Sequence, residues 1–280
     1  MANPICGYQR KQAPATEPTA LAALFLASHG HHQEAEPALQ YLVKCQLESG
    51  AVPIRQGDDS PGWPTSLAIL AWLSARDPSK YSSAIASARK WLLEARGTTM
   101  ERSPDLGHNS ELVAWSWAEN THSWVEPTAF HVVALKALGQ FGHSRVRDAV
   151  AMLIDRQLES GGWNYGNTTV LGQTLRPHIQ PTGTALLALE AEEDPSGRLV
   201  KSIAYLNNIL SGETPATSLA YGLLGLSVHK QFPRDMADWL EAAAERVTRH
   251  DQSPYKYILL ALAEKGAGIG PFRKQKPPLP

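Results

Sequence analysis

The sequence predicts an all-α protein, an (α/α)6 toroid in which six helical hairpins close into a ring, and three observations predict it. Segments that are apolar nearly all round alternate with segments whose apolar residues recur at steps of three and four, on one face only. The tetrapeptide Glu-Pro-Thr-Ala opens an apolar segment at Glu17 and another at Glu126, and Gln180-Pro181-Thr182-Gly183 opens a third. Finally, Gln46-Leu47-Glu48-Ser49-Gly50 returns as Gln157-Leu158-Glu159-Ser160-Gly161, so a whole hairpin is duplicated. An apolar helix is not buried by one partner alone, so the hairpins must pack on one another. A closed ring satisfies this better than an open superhelix, whose concave apolar helices would stay wet.

Taken in order, the first apolar helix is expected over 17–29 and its amphipathic partner over about 35–48, with Leu39, Leu42, Val43 and Gln46 on one face. The second pair is 64–76 and 81–95, the latter facing inward with Ile85, Ala88 and Leu92. An irregular segment, 97–123, follows, with one short helix expected at 109–118. The third pair starts at Trp124-Val125-Glu126-Pro127-Thr128-Ala129. Pro127 stands where a first helical residue belongs, its φ preset and its missing N–H costing nothing there. Its amphipathic partner carries Val150, Leu153, Ile154 and Gln157. The fourth pair is 181–191 and 197–210, with Leu199, Ile203, Leu206 and Leu210. The fifth is 215–228 and 234–248, with Met236, Leu240, Ala243 and Val247. A sixth apolar helix, 255–263, has no outer partner. The expected organisation is an N-terminal extension over 1–16, one toroid over 17–265 and a Gly/Pro-rich basic tail over 266–280.

Composition narrows the function. The chain of 280 residues is long enough to bury roughly three quarters of its unfolded surface without staples. Two cysteines, Cys6 and Cys45, exclude a disulfide framework and a zinc site of several thiolates. A net charge of −1 leaves no footprint for nucleic acid. The longest strongly apolar stretch, Ser66 to Leu73, is too short to span a bilayer, so the expectation is a soluble, cytoplasmic protein, with peripheral membrane contact left open. Five of the eight tryptophans, Trp63, Trp115, Trp117, Trp124 and Trp163, fall in connecting segments.

Gln157, Gly161, Gly162 and Trp163 after Leu153 resemble the repeat signature of the terpenoid cyclases and protein prenyltransferases, and the Glu-Pro-Thr-Ala openings resemble the starts of that family's inner helices. The resemblance covers roughly 17–265. It implies a toroid around an apolar cavity for an isoprenoid-like ligand, and glutamine–tryptophan ties between outer helices. Such a tie is a glutamine amide that satisfies orphan N–H groups at the next helix start while lying on an indole face. The other copies are degenerate, since Gly50-Ala51-Val52 lacks the tryptophan.

The chemistry that the resemblance implies is only partly matched. The Asp-x-Cys pair of the zinc prenyltransferases is missing, because Pro4 and Val43 stand two residues before Cys6 and Cys45; no metal and no cofactor is expected. The cyclases begin with an Asp-x-Asp-Asp-Thr-Ala motif whose middle Asp protonates an alkene or epoxide. Gln56-Gly57-Asp58-Asp59-Ser60 matches it by letters, and Glu126-Pro127-Thr128-Ala129 by its place at a helix start, so Glu126, Asp58 and Asp59 are the candidate acids. The plainer reading of Glu17 and Glu126 is a favourable charge at a helix N-terminus, and that of Asp58 and Asp59 a solvated loop. Aromatic candidates for lining a ligand are Trp115, Trp117, His122, Trp124, Phe130, His131, Tyr165, Tyr221, Tyr255 and Tyr257, which equally well plug one end of a barrel. Two other classes stay open. A glycan-active toroid would use a carboxylate pair from Glu111, Glu119 and Glu126 with tryptophans stacking on sugars, and a non-catalytic module would hold a lipid or a protein.

Overall fold

The computed structural model describes residues 3–60, 62–194 and 196–266. Six inner helices are α1 (Thr16–Ser28), α3 (Thr65–Leu73), α5 (Val125–Ala137), α7 (Ile179–Ala188), α9 (Ala216–Val228) and α11 (Pro254–Lys265). Five outer ones alternate with them: α2 (His32–Cys45), α4 (Ser82–Glu94), α6 (Ser144–Asp155), α8 (Arg198–Ile209) and α10 (Met236–His250). Each inner helix packs on the next, and α11 packs back on α1, so the ring is closed. The only paired strands among the described residues are two-residue segments, Thr169–Val170 and Gln173–Thr174, in the loop before α7. No helix among the described residues is long and apolar enough to cross a membrane.

The repeated Pro-Thr has a physical task. Thr19, Thr65, Thr128 and Thr182 lie at the starts of four inner helices, and each hydroxyl accepts the backbone N–H of the incoming loop, from Cys6, Val52, Trp115 and Trp163 at 3.3, 2.8, 3.2 and 3.0 Å. Every repeat thereby fixes the height at which its loop enters the barrel. Trp163 and Trp115 are equivalent beyond this bond. Each is buried, and each indole N–H donates to a carbonyl near the end of the preceding outer helix, Leu153 at 2.7 Å and Leu92 at 2.9 Å.

The glutamine tie works differently from the expectation. Gln157 Nε2 donates to Ser202 Oγ on α8 at 2.8 Å, and Gln46 Nε2 donates to the Ala84 and Gly50 carbonyls, each at 2.9 Å. In both copies it is the amide nitrogen that gives. The copy at Gln46 keeps the tie with no tryptophan beside it. Gly50 and Gly161, both at positive φ, sit against the backbone of the next outer helix, where a Cβ would lie 2.2 Å from the Ser87 carbonyl oxygen and 2.6 Å from the Lys201 carbonyl carbon.

Two expectations are corrected. No helix forms at 109–118; a 3-10 turn at Pro104–Leu106 stands earlier in the segment. There the Ala114 and Trp115 amides are held by the Ser123 and Thr128 hydroxyls, side-chain acceptors that displace helical bonding. The second helix ends at Cys45, leaving Gln46 outside it, and Val43 is exposed. The tail expected over 266–280 lies, past Gly266, outside the described residues.

Along α3 and α5 the interior of the barrel is filled. Every residue from Thr65 to Trp72 is 0 % exposed, so no water-sized void touches α3, and α5 is buried from Val125 to Lys136. Along these two helices the structure has side-chain packing where the resemblance implied an apolar cavity.

Candidate functional site

Chemistry collects at the end of the barrel where the inner helices start. In four repeats the residue before Pro-Thr sits at this mouth: Glu17, Trp63, Glu126 and Gln180. Glu17 and Glu126 are the second residues of α1 and α5, where the helix dipole favours a carboxylate. Burial opposes it, since they are 5 % and 3 % exposed.

Burial wins for both. It pushes Glu17 up to about 7, against hydrogen bonds from Tyr8 Oη at 2.6 Å and Tyr255 Oη at 3.0 Å that favour the charged form. It also pushes Glu126 up to about 7; the neighbouring Gln180 amide lowers it and the charge of Glu17 raises it again. Glu126 Oε1 is buried without a hydrogen-bond partner among the described residues. Tyr221 and Tyr255 complete the cluster, and their phenols are held well above the usual tyrosine range by burial first and by the neighbouring acids and phenols second.

Aromatic rings lead away from the acids. Phe130, one turn after Glu126 on the same face, contacts Tyr221 edge-on at 5.7 Å and stacks on Trp63 at 5.8 Å. Trp63 meets Trp117 edge-on at 5.0 Å. These two indoles, with Trp91 and Trp115, line a cleft of about 350 Å³ rimmed by Arg96, Ser116, Glu119 and Asn120.

The sequence candidates divide accordingly. Glu126, Tyr221, Tyr255 and Phe130 come together at the mouth. Tyr165 lies above it, 40 % exposed and close enough for Glu126 to raise its phenol. Asp58 and Asp59 are elsewhere: both are exposed, Asp58 accepts the Arg55 N–H at 3.1 Å, and its charge is felt by Tyr41 on outer helix α2.

His131 faces outward between Trp91 and Trp115, its Nδ1 2.6 Å from the Pro127 carbonyl, and burial pushes it down to about 3. Tyr257 bonds Thr248 at 2.6 Å on the outer helix α10. His122 and Trp124 pack ring against ring, tilted, at 4.4 Å, and Trp115 lies under the Arg145 guanidinium at 4.4 Å. Sequence reasoning passed over Glu17 and Tyr8. The duplicated Glu-Pro-Thr-Ala was the available signal for Glu17, while Tyr8 reaches it from the N-terminal segment, which no periodicity marks.

No family model matches this chain, and no curated protein matches it. Solved structures do. A novel alpha-amylase from Clostridium perfringens superposes with a TM-score of 0.61 at 10% identity, over 89% of this chain and 85% of that one. A protein from Actinoplanes gives 0.56 at 16% identity, over 89% and 75%. An L320A mutant of Rex8A from Paenibacillus barcinonensis, complexed with xylose, gives 0.55 at 13% identity, over 96% and 87%. The fold is an α/α toroid. At these identities the likeness is one of fold alone.

Proposed function

We propose that the protein is a glycan-active toroid whose general acid–base pair is Glu126 and Glu17. The observation that carries this reading is the pair itself: two buried carboxyl groups at the same mouth, both pushed up to about 7, with the charge of Glu17 helping to raise Glu126. An acid of this strength is half protonated near neutrality. That suits donation to a glycosidic oxygen, with a second carboxylate acting on the opposite face of the sugar. It suits alkene protonation poorly, because a cyclase acid must be unusually strong and here burial outweighs the one acidifying contact, from Gln180. The Trp-lined cleft supports the same reading, since indole faces stack on sugar rings and Arg96, Glu119 and Asn120 supply hydrogen bonds at its rim. Two of the similar structures are an alpha-amylase and a xylose complex, which is consistent with this.

In this account Glu126 donates its proton to the leaving oxygen while Glu17, ionised, receives one or attacks. Substrate reaches them when Tyr165 and His178, whose rings lie 5.2 Å apart, move from above the mouth. The test is a panel of xylo- and malto-oligosaccharides assayed for new reducing ends, with tryptophan fluorescence reporting binding. Glu126→Gln and Glu17→Gln should each stop turnover and leave binding by the cleft in place. Binding without turnover by the wild type would make the protein a non-catalytic module.

A second reading keeps an isoprenoid-like ligand, with Glu126 as the proton donor of a cyclase-like reaction. The run Tyr221, Phe130 and Trp63 beside the acid favours it, since aromatic faces stabilise a carbocation by about 0.5–2 kcal/mol each. Linear polyprenyl alcohols and diphosphates belong in the same panel. Conversion of these, with oligosaccharides inert, would replace the first reading by the second.

A further inference from the structure

Away from the mouth, the segment 97–123 and the end of α6 enclose a cavity of about 90 Å³, roughly three times the ~30 Å³ share of one liquid water. Its polar lining is one-sided. Arg156, His108 and His122 face it together with Thr98, Ser123 and Asn167, and no carboxylate lines it. The remaining walls are largely apolar, with Met100, Leu106 and Leu112, which strengthens any charge interaction inside.

The donors are under-used. Arg156 is only 4 % exposed; its Nη1 donates to the Gly166 carbonyl at 2.6 Å, and its buried Nε has no hydrogen-bond partner among the described residues. The Asp155 carboxylate, 3.6 Å from Nε, forms an ion pair with Arg156 that is too long for a hydrogen bond, and accepts the Asn109 N–H at 2.9 Å. His122 Nε2 is likewise buried and unpartnered. Ser123 Oγ accepts the Ala114 N–H at 2.8 Å, leaving its hydroxyl proton to give. Buried donors of this kind are normally satisfied. A guanidinium, two imidazoles, hydroxyls and an amide around a small void form the donor set that a tetrahedral oxyanion fills. Burial and Arg156 hold His108 down at about 4 and lower His122; His108 also meets the Leu106 backbone and, through Nδ1 at 3.4 Å, the Thr168 hydroxyl.

We propose that this cavity is a binding site for a phosphate-sized oxyanion, with Arg156 as its charge partner and His108, His122 and Asn167 as further donors. The site stands apart from the carboxylate mouth and does not depend on the reading of that mouth. The probe is inorganic phosphate, added to protein with 15N-labelled histidines and followed by ring signals and calorimetry. His108 and His122 should move together and saturate, while exposed His31 stays still. His122→Phe and Asn167→Leu, which keep shape and leave Arg156 in place, should each weaken binding about tenfold or more. Phenyl phosphate, added in parallel, distinguishes a phosphomonoester site from one for the free ion. No ring movement up to about 10 mM phosphate, or equal binding by both variants, would show a merely hydrated cavity and overturn the proposal.

Discussion

The Tyr255 phenol donates to Glu17 Oε1 at 3.0 Å and so ties the last inner helix to the first across the seam of the ring. Tyr8 donates to the other oxygen of the same carboxyl, and Lys265 reaches the Ser28 carbonyl at the opposite end of that seam. Tyr255→Phe should therefore lower stability by about 1.5–3 kcal/mol, the usual worth of a hydrogen bond to a charged group. It should also raise the Glu17 pKa further, because the lost bond favours the carboxylate. Denaturant unfolding and a carboxyl titration measure the two effects.

The buried acids give stability a definite pH dependence. A carboxyl raised to about 7 in the folded state binds its proton more tightly than in the unfolded chain, so stability falls as pH rises from about 4.5 to about 7. The loss amounts to about 3 kcal/mol per group. His131 and His108, depressed by burial, act oppositely, as stability is lost when pH falls below about 6.5. The two trends overlap in the wild type. Glu126→Gln isolates the first: its melting temperature should match wild type near pH 4.5 and exceed it progressively up to pH 7.

Trp163→Ala and Trp115→Ala should each destabilise the protein by about 3–5 kcal/mol, since each removes a buried indole and its bond to an outer-helix carbonyl. Thermal unfolding checks this. A loss at Trp163 alone would break the equivalence of the two copies.

Gly183→Ala tests the closest helix contact in the ring. A Cβ there would lie 2.1 Å from the Tyr221 carbonyl oxygen, so α7 and α9 must separate. The expected outcome is a loss of several kcal/mol, of the size of an over-packed core. Gly212→Ala, where a Cβ meets nothing nearer than 3.5 Å, is the control and should change little.

Helix order and ring closure were legible in the sequence because burial imposes period and because Glu-Pro-Thr-Ala repeats. What the repeat did was not legible. The threonine pins the incoming loop and the preceding residue enters the mouth, but both facts depend on loops of different lengths meeting the barrel at one height. The equivalence of Trp115 with Trp163 was not legible either, since the Trp115 loop lacks the Gly-Gly-Trp spacing, yet Trp115 makes the same bonds. The helix expected at 109–118 failed because Ser123 and Thr128, later in the chain, take its amides. Asp58 and Asp59 carried the right letters on an exposed loop, whereas Glu17 drew its importance from Tyr8 and Tyr255, one in the N-terminal segment and one at the far end of the chain.

The central claim is that Glu126 and Glu17 form a pair of carboxyl groups poised near neutral pH. A 13C titration of glutamate side-chain carboxyls measures it directly. Two signals should titrate near pH 7, one disappearing in Glu126→Gln and the other in Glu17→Gln, with the midpoint of Glu126 falling in Glu17→Gln once that charge is gone. Titration of every glutamate below about pH 5, in the range of the free side chain, would contradict the account.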